Sequence, residues 1–409
     1  MSRTTESLMT PAEARARVLA LAEPEGPTEV SLGDALGLVL AEAAVADVDL
    51  PPFDRAAREG FAVRSAEASP GALLRIATTH GLRLAADPRV EAGEAVRVAA
   101  GDALPVGANA VVRARDVRHD PETGPARVIE LTHGVEAGRG VTFRGSILAA
   151  GATVLPAGTR LRAPMIGLLA AQGCVQPVCH RRVRVAILAV GDHLVGPGEE
   201  PVMHRERNAT GAALVALALQ GGAMPFDLQA VPETRLRPAL DRATNAPVIV
   251  LLGRPSPAVA RALKAVGFDP VVSGLAVGPG GRTRYGVIRD DDGQVAHHVF
   301  LLPLAPIAAA TAFVLLVQPL IARLQGGPAA GPPAVVAAWD GTHRATGGRS
   351  RAIPATFTTD AGARGHARPV PLRGPDDLPA FARADGLALL PPHSGPWEGG
   401  EVVDFVPFP

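Results

Sequence analysis

Lysine is almost missing from this 409-residue sequence: among 40 basic residues only Lys264 is a lysine. That excludes any mechanism needing several catalytic lysines, and the accompanying Ala, Pro, Gly and Arg bias is the mark of a genome's base composition. Aromatic residues are 3% of the chain, with Tyr285 the single tyrosine, which argues against base-stacking platforms for single-stranded nucleic acid. Excess charge is absent too: 40 basic residues balance 40 acidic ones, so no global field draws the chain to nucleic acid or acidic lipid. Cys174 and Cys179 are the only cysteines. A structural zinc site needs four ligands, and no Cys/His cluster supplies the other two, so reduced structural thiols are expected. Met1–Met9 lacks the apolar core of a signal peptide. The longest apolar stretch, Phe300–Leu324, is interrupted by Pro303, Pro306, Gln318 and Pro319, and reads as a buried strand and helix rather than a membrane span. The expectation is a cytoplasmic protein with neither nucleic acid nor membrane as partner.

What the chain does have is apolar content, 47%, enough for several cores, and a length that implies two to four modules. Thr10 before Pro11 predicts a capped helix over Pro11–Ala22, and Leu32–Ala46 reads as a second helical stretch. Short runs between turn residues, such as Val90–Val98 and Ala108–Arg113, predict a small β-rich domain; Pro164–Gln172 returns to helix. Arg184–Val190 and Pro247–Gly253 are continuous apolar runs, the signature of strands buried on both faces. Helices over Thr210–Leu219, Ser256–Val266 and Ile307–Leu324, with a third strand at Val299–Leu302, complete an open three-layer α/β domain. In such sheets ligands bind beyond the carboxyl ends of the strands, which points to Gly191–Asp192, Gly253–Ser256 and the loop after Leu302. A Gly/Pro/Ala linker, Gly326–Pro333, leads to a β-module over 335–409, with Asp385–Gly386 as a hairpin signal and Leu387–Leu390 as a strand.

Several segments, in order, resemble those of the MoeA/gephyrin-E family. Residues 52–63, PFDRAAREGFAV, are similar to P-x-F-D-N-S-A-M-D-G-Y-A-V; residues 101–112, GDALPVGANAVV, to T-G-A-P-x-P-x-G-A-D-A-V-V without its Thr. Residues 151–161, GATVLPAGTRL, and 190–194, VGDHL, resemble the family's G-x-x-x-x-x-x-G-x-x-L and T-G-D-E-L, and ADGLALLP at 384–391 resembles its C-terminal module. The resemblance implies a multidomain α/β-plus-β protein. Residues 1–50 with 140–180 would form a helical linker domain, 51–139 a small β domain, 181–326 a MogA-like α/β domain and 334–409 a C-terminal β-barrel-like domain. It also implies a homodimer that inserts molybdate into adenylylated molybdopterin with release of AMP, assisted by Mg²⁺.

Carried over residue by residue, the resemblance makes Asp192 and Glu59 the catalytic carboxylates, with Asp192 and Glu206 as metal ligands. Asn208, Gly253, Arg254, Ser256 and Arg282 would bind substrate. Bland alternatives stand beside these: Asp192 as a helix cap or turn residue, and Glu59 in an exposed ion pair with Arg55 or Arg58. Departures concentrate in loops. The second carboxylate after Asp192 is His193, a poor Mg²⁺ ligand, and the acidic pair of R-G-E-D is lost in Arg144–Ile147. The phosphate loop S-S-G-G-V-S-x-G reads LLGRPSPA at 251–258, where Pro255 and Pro257 remove two amide donors and Arg254 offers a guanidinium instead. K-P-G-K-P reads GPGGR at 278–282, and L-P-G-N-P-x-S reads LPLAPIA at 302–308. The readings that follow are a molybdopterin molybdotransferase, a non-catalytic dimeric scaffold that docks onto another molybdenum-cofactor assembly protein or a molybdoenzyme, and an oxyanion sensor using Arg254 and Arg282.

Overall fold

The computed structural model describes residues 8–77, 89–119, 128–344 and 347–408. The chain forms two compact units, one of Met1–Val30, Ala35–Ala41 and Val178–Pro409, the other of Ser31–Asp34 and Glu42–Pro177.

The larger unit begins with the helix Pro11–Ala20. Its start is a capping box: Thr10 Oγ1 accepts from the Glu13 N–H at 3.2 Å, and Glu13 Oε2 accepts from the Thr10 N–H at 2.9 Å. A six-stranded sheet follows, in the spatial order Met224–Val231, Arg184–Val190, Val248–Leu252, Val295–Leu302, Arg284–Arg289, Asp269–Val272. The first four are parallel, as the continuous apolar runs predict, while the last two run antiparallel at one edge. Val185, Ile187, Val250 and Phe300 fill one face of the sheet together with side chains of the helices Ala209–Gln220 and Pro306–Leu324. Ala186, Leu188, Leu251 and Val299 fill the other against Leu236–Ala243 and Pro257–Ala265. The result is the three-layer domain expected.

The helix Pro306–Leu324 is long and apolar enough to cross a membrane, yet 83% of that stretch is buried inside the unit, so it is a core helix. It widens into a π-turn over Phe313–Val317. Pro319 follows within that helix and brings no N–H to the ladder, which is the local cause of the widening. Across the antiparallel edge, the Tyr285 hydroxyl meets His298 Nδ1 at 2.8 Å, both side chains fully enclosed. Burial pushes the His298 imidazole down to about 4, with His297 adding a smaller push in the same direction, and burial raises the Tyr285 hydroxyl.

The C-terminal strands Val335–Trp339, Ser350–Thr359, Gly365–Pro369, Gly386–Leu390 and Val402–Pro407 pair in a closed ring around Trp339, Trp397 and Phe405. Ser350–Thr359 closes it by pairing with both Gly365–Pro369 and Gly386–Leu390. Asp385–Gly386 is not a hairpin. It links the short helix Leu378–Phe381 to a strand, and Asp385 Oδ2 accepts from the Phe357 N–H at 2.8 Å. The glycine is needed for proximity: a Cβ there would sit 2.3 Å from the Val406 carbonyl oxygen.

The smaller unit holds a six-stranded sheet in the order Ala110–Val112, Gly60–Val63, Glu94–Val98, Leu73–Ala77, Val128–Leu131, Val117–His119. Its core is built on Phe61, Leu74, Ile129 and Leu131. The helical reading of Leu32–Ala46 is overturned: the segment is a run of turns, a bridge between Leu40 and Cys179, and the two-residue strand Ala44–Val45. Gly37 lies at φ +79°, a conformation that a helix interior does not contain, so tertiary pairing wins over the alanine-rich composition. The helix Ala163–Ala171 is apolar throughout, but only Leu169 of it is buried. Just beyond it, Gln172 is enclosed with neither its amide oxygen nor its nitrogen hydrogen-bonded. The two cysteines form no disulfide with each other, and burial raises the thiol of Cys174.

Candidate functional site

The carboxyl ends of Val248–Leu252 and Val295–Leu302 open into a cleft of about 450 Å³ in the larger unit. It brings together five residues named from the sequence: Glu206, Asn208, Gly253, Arg254 and Arg282. Pro303–Pro306, in the loop after Leu302, lines it as the sheet topology predicts. Three named residues fall elsewhere. Asp192 sits in an exposed turn after Arg184–Val190, caps no helix, and does not line the cleft, although its neighbour His193 does. Ser256 lines an adjoining cavity of about 390 Å³ with Lys264 and Arg284. Glu59 lies in the smaller unit, exposed and without the ion pair to Arg55 or Arg58 that its neighbours suggested. Glu59 ends an exposed bend just before the buried strand Gly60–Val63, whereas Arg55 is half-buried in the strand Arg55–Ala56, and an exposed pair of this kind gains little in water.

Each cleft residue has a local reason for its place. Asn208 is the N-cap of Ala209–Gln220: its Oδ1 accepts from the Gly211 N–H at 2.9 Å, and the side chain is buried. Gly211 must lack a side chain, since a Cβ would lie 2.4 Å from Asn208 Nδ2. Gly253 ends its strand by donating its N–H to the Leu302 carbonyl at 3.0 Å, with room for a Cβ only 3.3 Å from the Val190 carbonyl oxygen. Ser256 caps the next helix, accepting from the Val259 N–H at 3.1 Å, and Pro257 occupies its first position. The loop 253–257 therefore offers no succession of free donors: the Gly253 N–H is bonded to the fold, and Pro255 and Pro257 have none. Glu206 stands 3.5 Å from His193 Nε2, while its N–H donates to the His193 carbonyl at 2.8 Å. Arg254 and Arg282 make no ion pair among the described residues.

Sequence reasoning missed Arg207, Thr210 and, from one further stretch, Pro375, Asp376 and Leu378, all of which line the cleft. Arg207 Nε donates to the Glu199 carbonyl at 3.0 Å, and Thr210 Oγ1 to the Leu304 carbonyl at 2.7 Å. The only signal for the last stretch was Asp377 before an apolar run; it caps Leu378–Phe381, accepting from the Ala380 N–H at 3.1 Å. In the other unit, Arg144 pairs with Asp49 at 2.6 Å and its N–H donates to Asp54 Oδ1. The Ala150 N–H, then Arg144, hold the Asp49 carboxyl below its ordinary range.

The donor set does not suit a resident Mg²⁺. That ion asks for several oxygen ligands in octahedral array. Among the described residues no three His, Cys, Asp or Glu side chains gather to hold a metal. The cleft is lined by two carboxylates, Glu206, which is beside His193, and Asp376, and by three guanidinium groups, those of Arg207, Arg254 and Arg282.

Comparison with known proteins places these features in a lineage. Residues 9–173 match the model of the MoeA N-terminal region (domain I and II), and residues 342–408 that of the MoeA C-terminal region (domain IV). The chain is 31% identical over 343 residues to molybdopterin molybdenumtransferase 1 of Mycobacterium tuberculosis, covering 76% of each chain. It is 25% identical over 392 residues to the molybdopterin molybdenumtransferase of Staphylococcus epidermidis, covering 92% of this chain and 90% of that one. The crystal structure of the molybdopterin biosynthesis MoeA protein from Pyrococcus horikosii superimposes with a TM-score of 0.83 at 26% identity, over 98% of this chain and all of that one.

Proposed function

Because the chain belongs to the MoeA family, we propose that it acts in molybdenum cofactor biosynthesis as a molybdopterin molybdenumtransferase, binding adenylylated molybdopterin in the larger unit's cleft and releasing AMP as molybdate is inserted. The observation that carries this is the convergence of Asn208, Gly253, Arg254 and Arg282 on one cleft at the carboxyl end of the sheet. Ser256 serves the cleft indirectly, by capping the helix that follows the Arg254 loop. Asp192, next to the cleft-lining His193, is the carboxylate proposed for the chemistry at this cleft. The reaction is assigned no resident divalent cation. The chain is taken to work in the cytoplasm as a homodimer. The apolar helix Ala163–Ala171 supports self-association, because Met165, Ile166 and Leu168 are only half-buried in a helix with one buried side chain.

The test is molybdate-dependent release of AMP from adenylylated molybdopterin by the purified chain, read by chromatography. Asp192→Ala is expected to cut the rate about 100-fold. A second reading, a dimeric scaffold that docks another cofactor-assembly protein or a molybdoenzyme, draws on the position of Asp192 outside the cleft lining. No AMP release from a folded protein that still binds such a partner would leave only that reading.

A further inference from the structure

We propose that the cleft holds the phosphoryl groups of its ligand by guanidinium side chains alone, without a divalent cation, and that Arg254 and Arg282 are the binding groups. The inference deepens the molybdenumtransferase reading and rests on it for the identity of the ligand, but not for the anion chemistry.

Three features of the cleft carry it. No run of successive free amides survives in the loop at 253–257: the Gly253 N–H is bonded to Leu302, and Pro255 and Pro257 have none, so the N–H groups of Arg254 and Ser256 stand apart from one another. A phosphate here cannot be cradled by successive amides as in a glycine-rich loop. Cationic side chains are in surplus and uncommitted: Arg254 and Arg282 have no carboxylate partner among the described residues, while Arg207 donates to a backbone carbonyl. Carboxylates are few and partly engaged. Glu206 lies 3.5 Å from His193 Nε2, and no three metal-ligating side chains gather among the described residues. A Mg²⁺ ion held there by Glu206 or Asp376 would have to share the ligand's phosphate oxygens with two unpaired guanidinium groups, and the cation demand of those oxygens is already met by the arginines. A phosphoanhydride or a tetrahedral oxyanion meets what it requires, planar forks able to donate two parallel hydrogen bonds each. The apolar walls at Leu304, Pro306 and Leu378 strengthen those bonds by keeping water back.

Calorimetric titration of the full chain tests this, with adenylylated molybdopterin and with inorganic pyrophosphate, each in EDTA and in excess Mg²⁺. The expected result is binding of both ligands in EDTA, changed less than about threefold by Mg²⁺, and weakened about 10- to 100-fold by Arg254→Ala or Arg282→Ala. Arg254→Lys should recover only part of that loss, because an ammonium cannot make the bidentate contact. Circular dichroism of each variant, matched to the parent, keeps a folding defect from imitating the loss. Binding that appears only with Mg²⁺ overturns the inference and leaves the molybdenumtransferase reading in place. Pyrophosphate binding in EDTA without any binding of the pterin upholds the anion site and removes that reading. No heat from either ligand removes both.

Discussion

Replacing His298 should flatten the acid-induced loss of stability expected of the parent chain between about pH 6.5 and pH 4. The imidazole is enclosed between two antiparallel strands, its Nδ1 2.8 Å from the Tyr285 hydroxyl, and burial depresses it from 6.5 to about 4. An unfolded chain binds a proton on this histidine below about 6.5, whereas the folded chain does so only below about 4. Stability is therefore whole above the upper value, declines as pH falls through the window, and levels off beneath the lower one. A drop from 6.5 to about 4, at 1.36 kcal/mol per pH unit, gives about 3 kcal/mol from this side chain. His298→Gln keeps an amide to meet the tyrosine hydroxyl but cannot titrate. Because the chain folds as more than one unit, the opening free energy should be read locally, by hydrogen exchange of peptides from Arg284–Arg289 and Val295–Leu302, corrected for intrinsic rates. The difference between parent and variant should shrink by about 3 kcal/mol from neutral pH to pH 4. Parallel curves would refute the reasoning, since they would mean that the buried imidazole takes its proton as readily as an exposed one.

Other expectations follow from single features. Gln172→Met removes an enclosed amide with no hydrogen-bond partner and keeps its volume, so the melting temperature of the smaller unit should rise, by an amount equivalent to about 1–3 kcal/mol; a fall would mean that the amide is satisfied in solution. Ile166→Glu on the apolar helix Ala163–Ala171 should convert a dimer into a monomer in size-exclusion chromatography with light scattering, and an unchanged mass would place the interface elsewhere. With the loss of AMP release on Asp192→Ala and the arginine substitutions in EDTA, these cover chemistry, binding, assembly and stability.

The α/β domain was readable because its central strands are buried on both faces, which leaves nothing but Val, Ile, Leu and Ala in Arg184–Val190 and Val248–Leu252 apart from the first arginine. The edge strands were not. Met224–Val231 is half-buried and carries Pro225 and Asp227, so it shows neither a continuous run nor a clean alternation. Leu32–Ala46 misled because alanine and leucine favour helix intrinsically, while the pairing of Leu40 with Cys179 is a contact across 139 residues of sequence. For the cleft, the rule that loops at strand ends bind ligands found Gly253, Arg254 and the loop after Leu302. The same rule could not foresee that Pro375, Asp376 and Leu378, more than 120 residues beyond Gly253, would supply a wall, nor that Asp192 would face away. Side-chain direction in a turn is decided by neighbours that local pattern does not encode.

Pro255, Pro303, Pro306 and Pro375 all stand on the rim of the cleft. Each ring fixes φ near −65°, and together they remove from the cleft much of the backbone freedom that a binding loop ordinarily surrenders when it closes on its ligand. A ligand that matches this rim binds a mould already set, with little further ordering to oppose it. Selectivity in this cleft is thus a matter of shape held in advance, and a glycine in place of any of the four prolines would widen the range of molecules accepted while weakening the hold on each.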